Sequence, residues 1–102
     1  MMLNDYIWIM NSVYLGGITG TKDNQLKWSK IRAGKYITKI GDYFLVITQI
    51  KATNVETTGW WTTSVYNSKG DWLEELENYI TLTEAKLSAK ENFDDWYKYN
   101  VL

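Results

Sequence analysis

The chain has 102 residues, with six Trp, eight Tyr and no Cys, His or Pro. That is the length of one domain, and 45% hydrophobic residues suffice for a packed core and exclude wholesale disorder. Missing cysteine and histidine remove disulfides, thiolate zinc sites, cysteine nucleophiles and the commonest general base. A role without catalysis, cofactor or metal is expected. The net charge of −1 hides an asymmetry. Residues 1–51 carry seven basic against three acidic residues, and residues 52–102 carry four against nine. Such a dipolar surface favours partners with complementary patches, a second copy among them.

In chain order, residues 1–20 read as a segment that covers a sheet. Leu3, Ile7, Met10 and Tyr14 fit helical spacing, while Tyr6-Ile7-Trp8-Ile9 equally suits a buried strand, and both forms stay open. Asn11 and Ser12 interrupt the apolar run, and no basic stretch precedes it as in a signal peptide. No run approaches the roughly 18 apolar residues of a membrane span. A cytoplasmic location is therefore expected, with no membrane partner.

Residues 26–67 read as a β-meander. Aromatic and β-branched runs alternate with glycine punctuation, giving strands at about 26–32, 35–40, 42–51 and 60–67. Ile40-Gly41-Asp42-Tyr43 is a two-residue hairpin signal, since glycine supplies the positive φ of primed turns. Ala33-Gly34 and Asn67-Ser68-Lys69-Gly70 offer further tight turns. In the third strand Tyr43, Leu45 and Ile47 share one face, and Phe44, Val46 and Ile50 the other. A strand apolar on both faces must be central and covered on both sides. Asp71 to Glu77 reads as either a helical turn or an edge strand.

The chain then closes with a helix over residues 82–97. Thr81-Leu82-Thr83-Glu84 has the form of a capping box, and Leu82, Ala85, Ala89, Phe93 and Trp96 make one apolar stripe. The expected fold is α+β: an antiparallel meander of three to four strands with the C-terminal helix packed on one face. The N-terminal segment or a partner covers the other face, and a homodimer through that face is one form of partner.

The order of Trp28, Gly34-Lys-Tyr36, Gly41-Asp-Tyr43, Trp60 and Thr81-Leu-Thr-Glu-Ala85-Lys86 resembles small bacteriophage-encoded proteins with a strand meander and one C-terminal helix. The resemblance covers about residues 26–95 and implies an accessory protein that binds, and modulates or inhibits, a host or defence protein in the host cytoplasm. Glu84-Ala85-Lys86 with Ala89 and Phe93 is also similar to the closing helix of the double-stranded RNA-binding domain. That family places a lysine pair at the helix start, where Leu82, Thr83 and Glu84 stand here, and its Gly-Pro-x-His loop needs residues this chain lacks. RNA binding is not carried over.

Three groups of side chains are candidates for contacts. Trp60 and Trp61 are adjacent on a strand, so their rings point to opposite faces. Trp61 shares a face with Val65 and reads as core; Trp60 shares one with Thr62, Ser64 and Tyr66. Trp and Tyr dominate binding hot spots, so Trp60 and Tyr66, then Trp72, are the expected protein contacts. The alternative is nucleic-acid binding through Trp28, Lys30, Arg32, Lys35 and Lys39, with Trp28, Lys30 and Arg32 on one strand face as a stacking ring beside cations. A pI near 5.3 weighs against it, because nucleic-acid domains usually exceed about 9. Glu74, Glu75, Glu77, Glu91, Asp94 and Asp95 read as solvated acidic faces; no EF-hand spacing accompanies them.

Overall fold

A computed structural model describes residues 26–102. The expected cover segment at residues 1–20 lies outside the described residues. Five strands follow in order: β1 (Ser29–Arg32), β2 (Lys35–Ile40), β3 (Tyr43–Gln49), β4 (Trp61–Tyr66) and β5 (Trp72–Tyr79). A single helix, α1 (Leu82–Asn100), closes the chain. The strands form one antiparallel sheet in sequence order, so β3 is central and β1 and β5 are the edges. The fold is α+β, as the sequence implies, with one strand more than its range of three to four. The extra strand is β5, whose acidic run is held extended by pairing with β4.

The turns sit where their residues demand. Ile40 and Tyr43 face each other across Gly41-Asp42, with Gly41 at φ +59°. In the β4–β5 turn the Asn67 side-chain oxygen accepts from the backbone N–H of Lys69 and Asp71, both at 2.9 Å. The backbone N–H of Asn67 donates to the Asp71 carbonyl, which closes the loop. Upstream of β1, the Thr38 hydroxyl donates to the Lys27 carbonyl at 2.7 Å and ties the entering chain to β2.

The register sorts the side chains. Leu45 lies opposite Thr38 and Val65, and with Ile40 these apolar residues form the cluster under Ala89 and Phe93 of α1. Trp28, Tyr43, Leu76, Trp96 and Tyr97 ring that cluster. Ile37, Phe44 and Val46 form a second cluster on the opposite face, with Ile31 and Tyr66 against it. Both rows of β3 are sheltered: Leu45 and Ile47 are 0% exposed, Phe44 1% and Val46 2%. Burying side chains of this size contributes about 1.5–3 kcal/mol each.

The helix starts with the expected cap. Thr81 Oγ1 accepts from the Glu84 backbone N–H at 3.1 Å, while the Thr81 N–H donates to the Glu84 carboxylate at 3.3 Å. Ala85, Ala89 and Phe93 are the buried stripe, and the helix runs to Asn100, three residues beyond the expected 97. Alanines at 85 and 89 let the helix lie close on β4 and β5, and the larger Phe93 reaches down toward β3. Tyr43 meets Phe93, Trp96 and Tyr97 with ring centroids 5.5–5.9 Å apart, which fixes the C-terminal half of α1 over the β2–β3 turn.

Two core hydroxyls, those of Thr62 and Thr63, oppose the fold energetically. Thr63 is 0% exposed and its hydroxyl has no hydrogen-bond partner among the described residues. A buried unpaired hydroxyl costs about 1–3 kcal/mol, and valine has nearly the same shape. Thr63→Val is expected to raise the unfolding free energy by about 1 kcal/mol in urea titration; a loss of stability would show that the hydroxyl is satisfied.

Candidate functional site

Edge strand β5 carries the sequence Asp71-Trp-Leu-Glu-Glu-Leu-Glu-Asn-Tyr79 with the first residue in the turn, four carboxylates and no cation. Register shifts opposite Thr62/Ser64 and Val65/Tyr66 divide the strand. Bulges of this kind twist an edge and blunt it against addition of another strand. Contacts to β5 therefore fall to its side chains.

On the face away from α1, Trp72 stands directly opposite Tyr66. Tyr66 is half-buried against the Phe44 cluster, and Trp72 beside it is 57% exposed. Among the described tryptophans it alone is exposed. Its neighbour Leu73 is exposed as well. Trp60, expected with Tyr66 as a leading contact, lies in the connection ahead of β4. Its N–H donates to the Thr57 carbonyl and its own carbonyl accepts from the Ile50 N–H. Six residues of extended strand separate it from Tyr66, roughly 20 Å at about 3.3 Å per residue. The structure joins Tyr66 with Trp72 and sets Trp60 apart at the other end of β4. Trp61 faces α1, half-buried, with its ring centroid 6.1 Å from that of Tyr36, and Lys86 of α1 lies 4.3 Å from the Tyr36 ring.

On the α1 side of the same strand lies a groove of about 240 Å³. Leu76, Trp96 and Tyr99 supply its apolar lining, and Glu74, Glu77 and Asp95 its charge. Two side-chain bonds join β5 to α1 here: Trp96 Nε1 donates to Glu74 Oε1 at 3.1 Å, and Asn92 Nδ2 donates to the Tyr79 hydroxyl at 2.9 Å. Glu75 and Glu77 meet no cation among the described residues. Lys90 and Asp94 pair at 2.7 Å one turn apart on α1, away from this groove. No group of three acidic side chains is arranged to hold a metal among the described residues. A second hollow of about 340 Å³, lined by Tyr43, Phe93 and Tyr97, lies between the β2–β3 turn and α1 under that ion pair.

The basic alternative is spread over the sheet. Lys30 pairs with Tyr36 and so faces α1, the side on which Trp28 packs. A register shift between Lys30 and Arg32 breaks the expected alternation, and Arg32 pairs with Lys35. Lys35 stands with Ile37 and Lys39 on the opposite face. The expected single face of Trp28, Lys30 and Arg32 is thus corrected: a bulge turns Arg32 out of the row. Lys39 lies 5.9 Å from the Phe44 ring. Burial, and then the Arg32 guanidinium, lower the Lys35 pKa from its ordinary 10.5.

Trp96 entered the sequence reading only as the end of a core stripe, and Tyr99 did not enter it. The available signal was their i,i+3 spacing beyond Phe93, where the stripe outruns the sheet that could bury it.

In comparison with known proteins, no family model, curated protein or solved structure matches this chain. Among the described residues no helix is long and apolar enough to cross a membrane.

Trp72 is mostly exposed, whereas Phe93 is buried in the core. Trp72→Ala is expected to stay within about 0.5 kcal/mol of the parent in denaturant unfolding, while Phe93→Ala loses about 3–5 kcal/mol. Equal losses would place Trp72 in the core.

Proposed function

We propose that this chain is a non-catalytic protein-binding module that docks its partner across the β5 edge. The observation that carries the reading is Trp72: a large aromatic, 57% exposed, paired opposite Tyr66 on an edge strand that its bulges protect from strand addition. Trp and Tyr are the side chains that most often anchor interfaces, because they bury much area at little conformational cost. The carboxylates along β5 and the flank of α1 supply long-range attraction for a basic partner and speed its approach. The partner assigned on this reading is a host or defence protein, the class that the layout resemblance to phage accessory proteins implies, and binding modulates or inhibits it.

The supports for nucleic-acid binding are weaker. Its cations are divided between two sheet faces, and Trp28 is packed against the α1-side core. The two readings respond differently to salt. Phosphate binding falls linearly on a log–log plot against salt, and an aromatic-anchored interface changes little.

Affinity capture from host lysate at 0.15 M and 0.5 M salt tests the proposal. The expected result is one protein retained at both concentrations by the parent chain, with Trp72→Ala weakening the purified complex about 30-fold or more, as hot-spot truncations do. Capture unchanged by Trp72→Ala contradicts the site. A nucleic-acid complex abolished by Lys30→Glu with Arg32→Glu contradicts the function.

A further inference from the structure

The groove between β5 and α1 has a shape and a charge that the Trp72 contact does not use. At about 240 Å³ it falls below the roughly 300–1,000 Å³ of small-molecule pockets, so it suits one side chain better than a free metabolite. Leu76, Trp96 and Tyr99 give it an apolar lining, Glu74, Glu77 and Asp95 line it as acids, and no basic residue does among the described residues. The Trp96 indole N–H holds Glu74 Oε1, which orients that carboxylate before anything binds. Glu74 Oε2 and both oxygens of Glu77 accept no hydrogen bond among the described residues. Lys98 lies 5.6 Å from the Tyr99 ring but is not part of the groove lining.

We propose that this groove receives an arginine side chain of the partner protein. The inference rests on the protein-binding reading and names the chemistry the partner brings. A guanidinium is flat, weakly hydrated and forked, so it packs along aromatic rings while its N–H groups meet a carboxylate in pairs. A lysine ammonium is compact and strongly hydrated, and it makes poor use of an aromatic lining. The groove provides both requirements together: Trp96 and Tyr99 for the plane, Glu74 and Glu77 for the fork. Trp72 lies on the other side of the same strand, so a partner that straddles the β5 edge reaches both.

Nuclear magnetic resonance with short capped peptides tests this without the natural partner. Trp96 is identified by the indole N–H signal missing from Trp96→Phe, and an Ala-Arg-Ala peptide is titrated against the full chain. The expected result is a saturable shift of the Trp96 indole signal. Ala-Lys-Ala and the citrulline analogue should bind at least about tenfold more weakly. Glu77→Gln with Asp95→Asn, both at exposed positions, should weaken the arginine peptide about tenfold or more while leaving the rest of the spectrum in place. An unmoved Trp96 signal overturns the proposal. So does an equal response to lysine, or a carboxamide variant that binds like the parent. Trp72→Ala should leave this titration unchanged, so its failure and a failure of partner capture are told apart.

Discussion

Apolar side chains on both faces of β3 impose the condition that organises this molecule. Leu45 and Ile47 on one face and Phe44 and Val46 on the other are all within 2% of full burial. A strand of that kind is stable only at the centre of a sheet with cover above and below. With β3 in the middle, β1 and β5 become the edges, and the chain's opposite charges are carried to opposite sides of the sheet. The stripe of Ala85, Ala89 and Phe93 answers the same demand from the helix. A 19-residue helix is marginal alone in water, so its order comes from the face it buries.

The surface proposed for binding is a by-product of that arrangement. Because α1 covers one face only, β5 is divided along its length between two environments. Glu74, Leu76 and Tyr79 are drawn toward the helix, and Trp72 is turned to the opposite face beside Tyr66. The bulges that protect the edge also redirect its side chains, which is how an acidic strand comes to present an aromatic ring on one side and a carboxylate-lined groove on the other. In the proposed contact, specificity depends on side-chain chemistry, since the backbone of a bulged edge offers little regular pairing.

Local chemistry made much of the fold legible in the sequence. The Gly41-Asp42 hairpin, the Asn67–Gly70 turn, the Thr81/Glu84 box and the two-sided β3 each rest on interactions within a few residues or on strict alternation, and each stands as read. In sequence β5 reads equally as helical turn and edge strand, because Glu, Asn and Leu carry little strand preference; its form comes from the pairing with β4. The row of Trp28, Lys30 and Arg32 failed for the opposite reason. Alternation assumes an unbroken ladder, and a bulge is invisible in composition. The site was legible by halves. Residue type pointed to Trp72 and Tyr66, but their pairing across two strands, the separation of Trp60 and the meeting of Trp96 with Glu74 across 22 residues are tertiary facts.

Amide hydrogen exchange under native conditions tests the central claim most directly. If shelter of β3 on both faces holds the molecule together, the amides of Leu45, Val46 and Ile47 exchange only through global unfolding. Their exchange free energies then equal the stability measured with denaturant, and those of β1 and β5 fall below it. Amides of β3 that exchange as readily as those of the two edges would contradict the account.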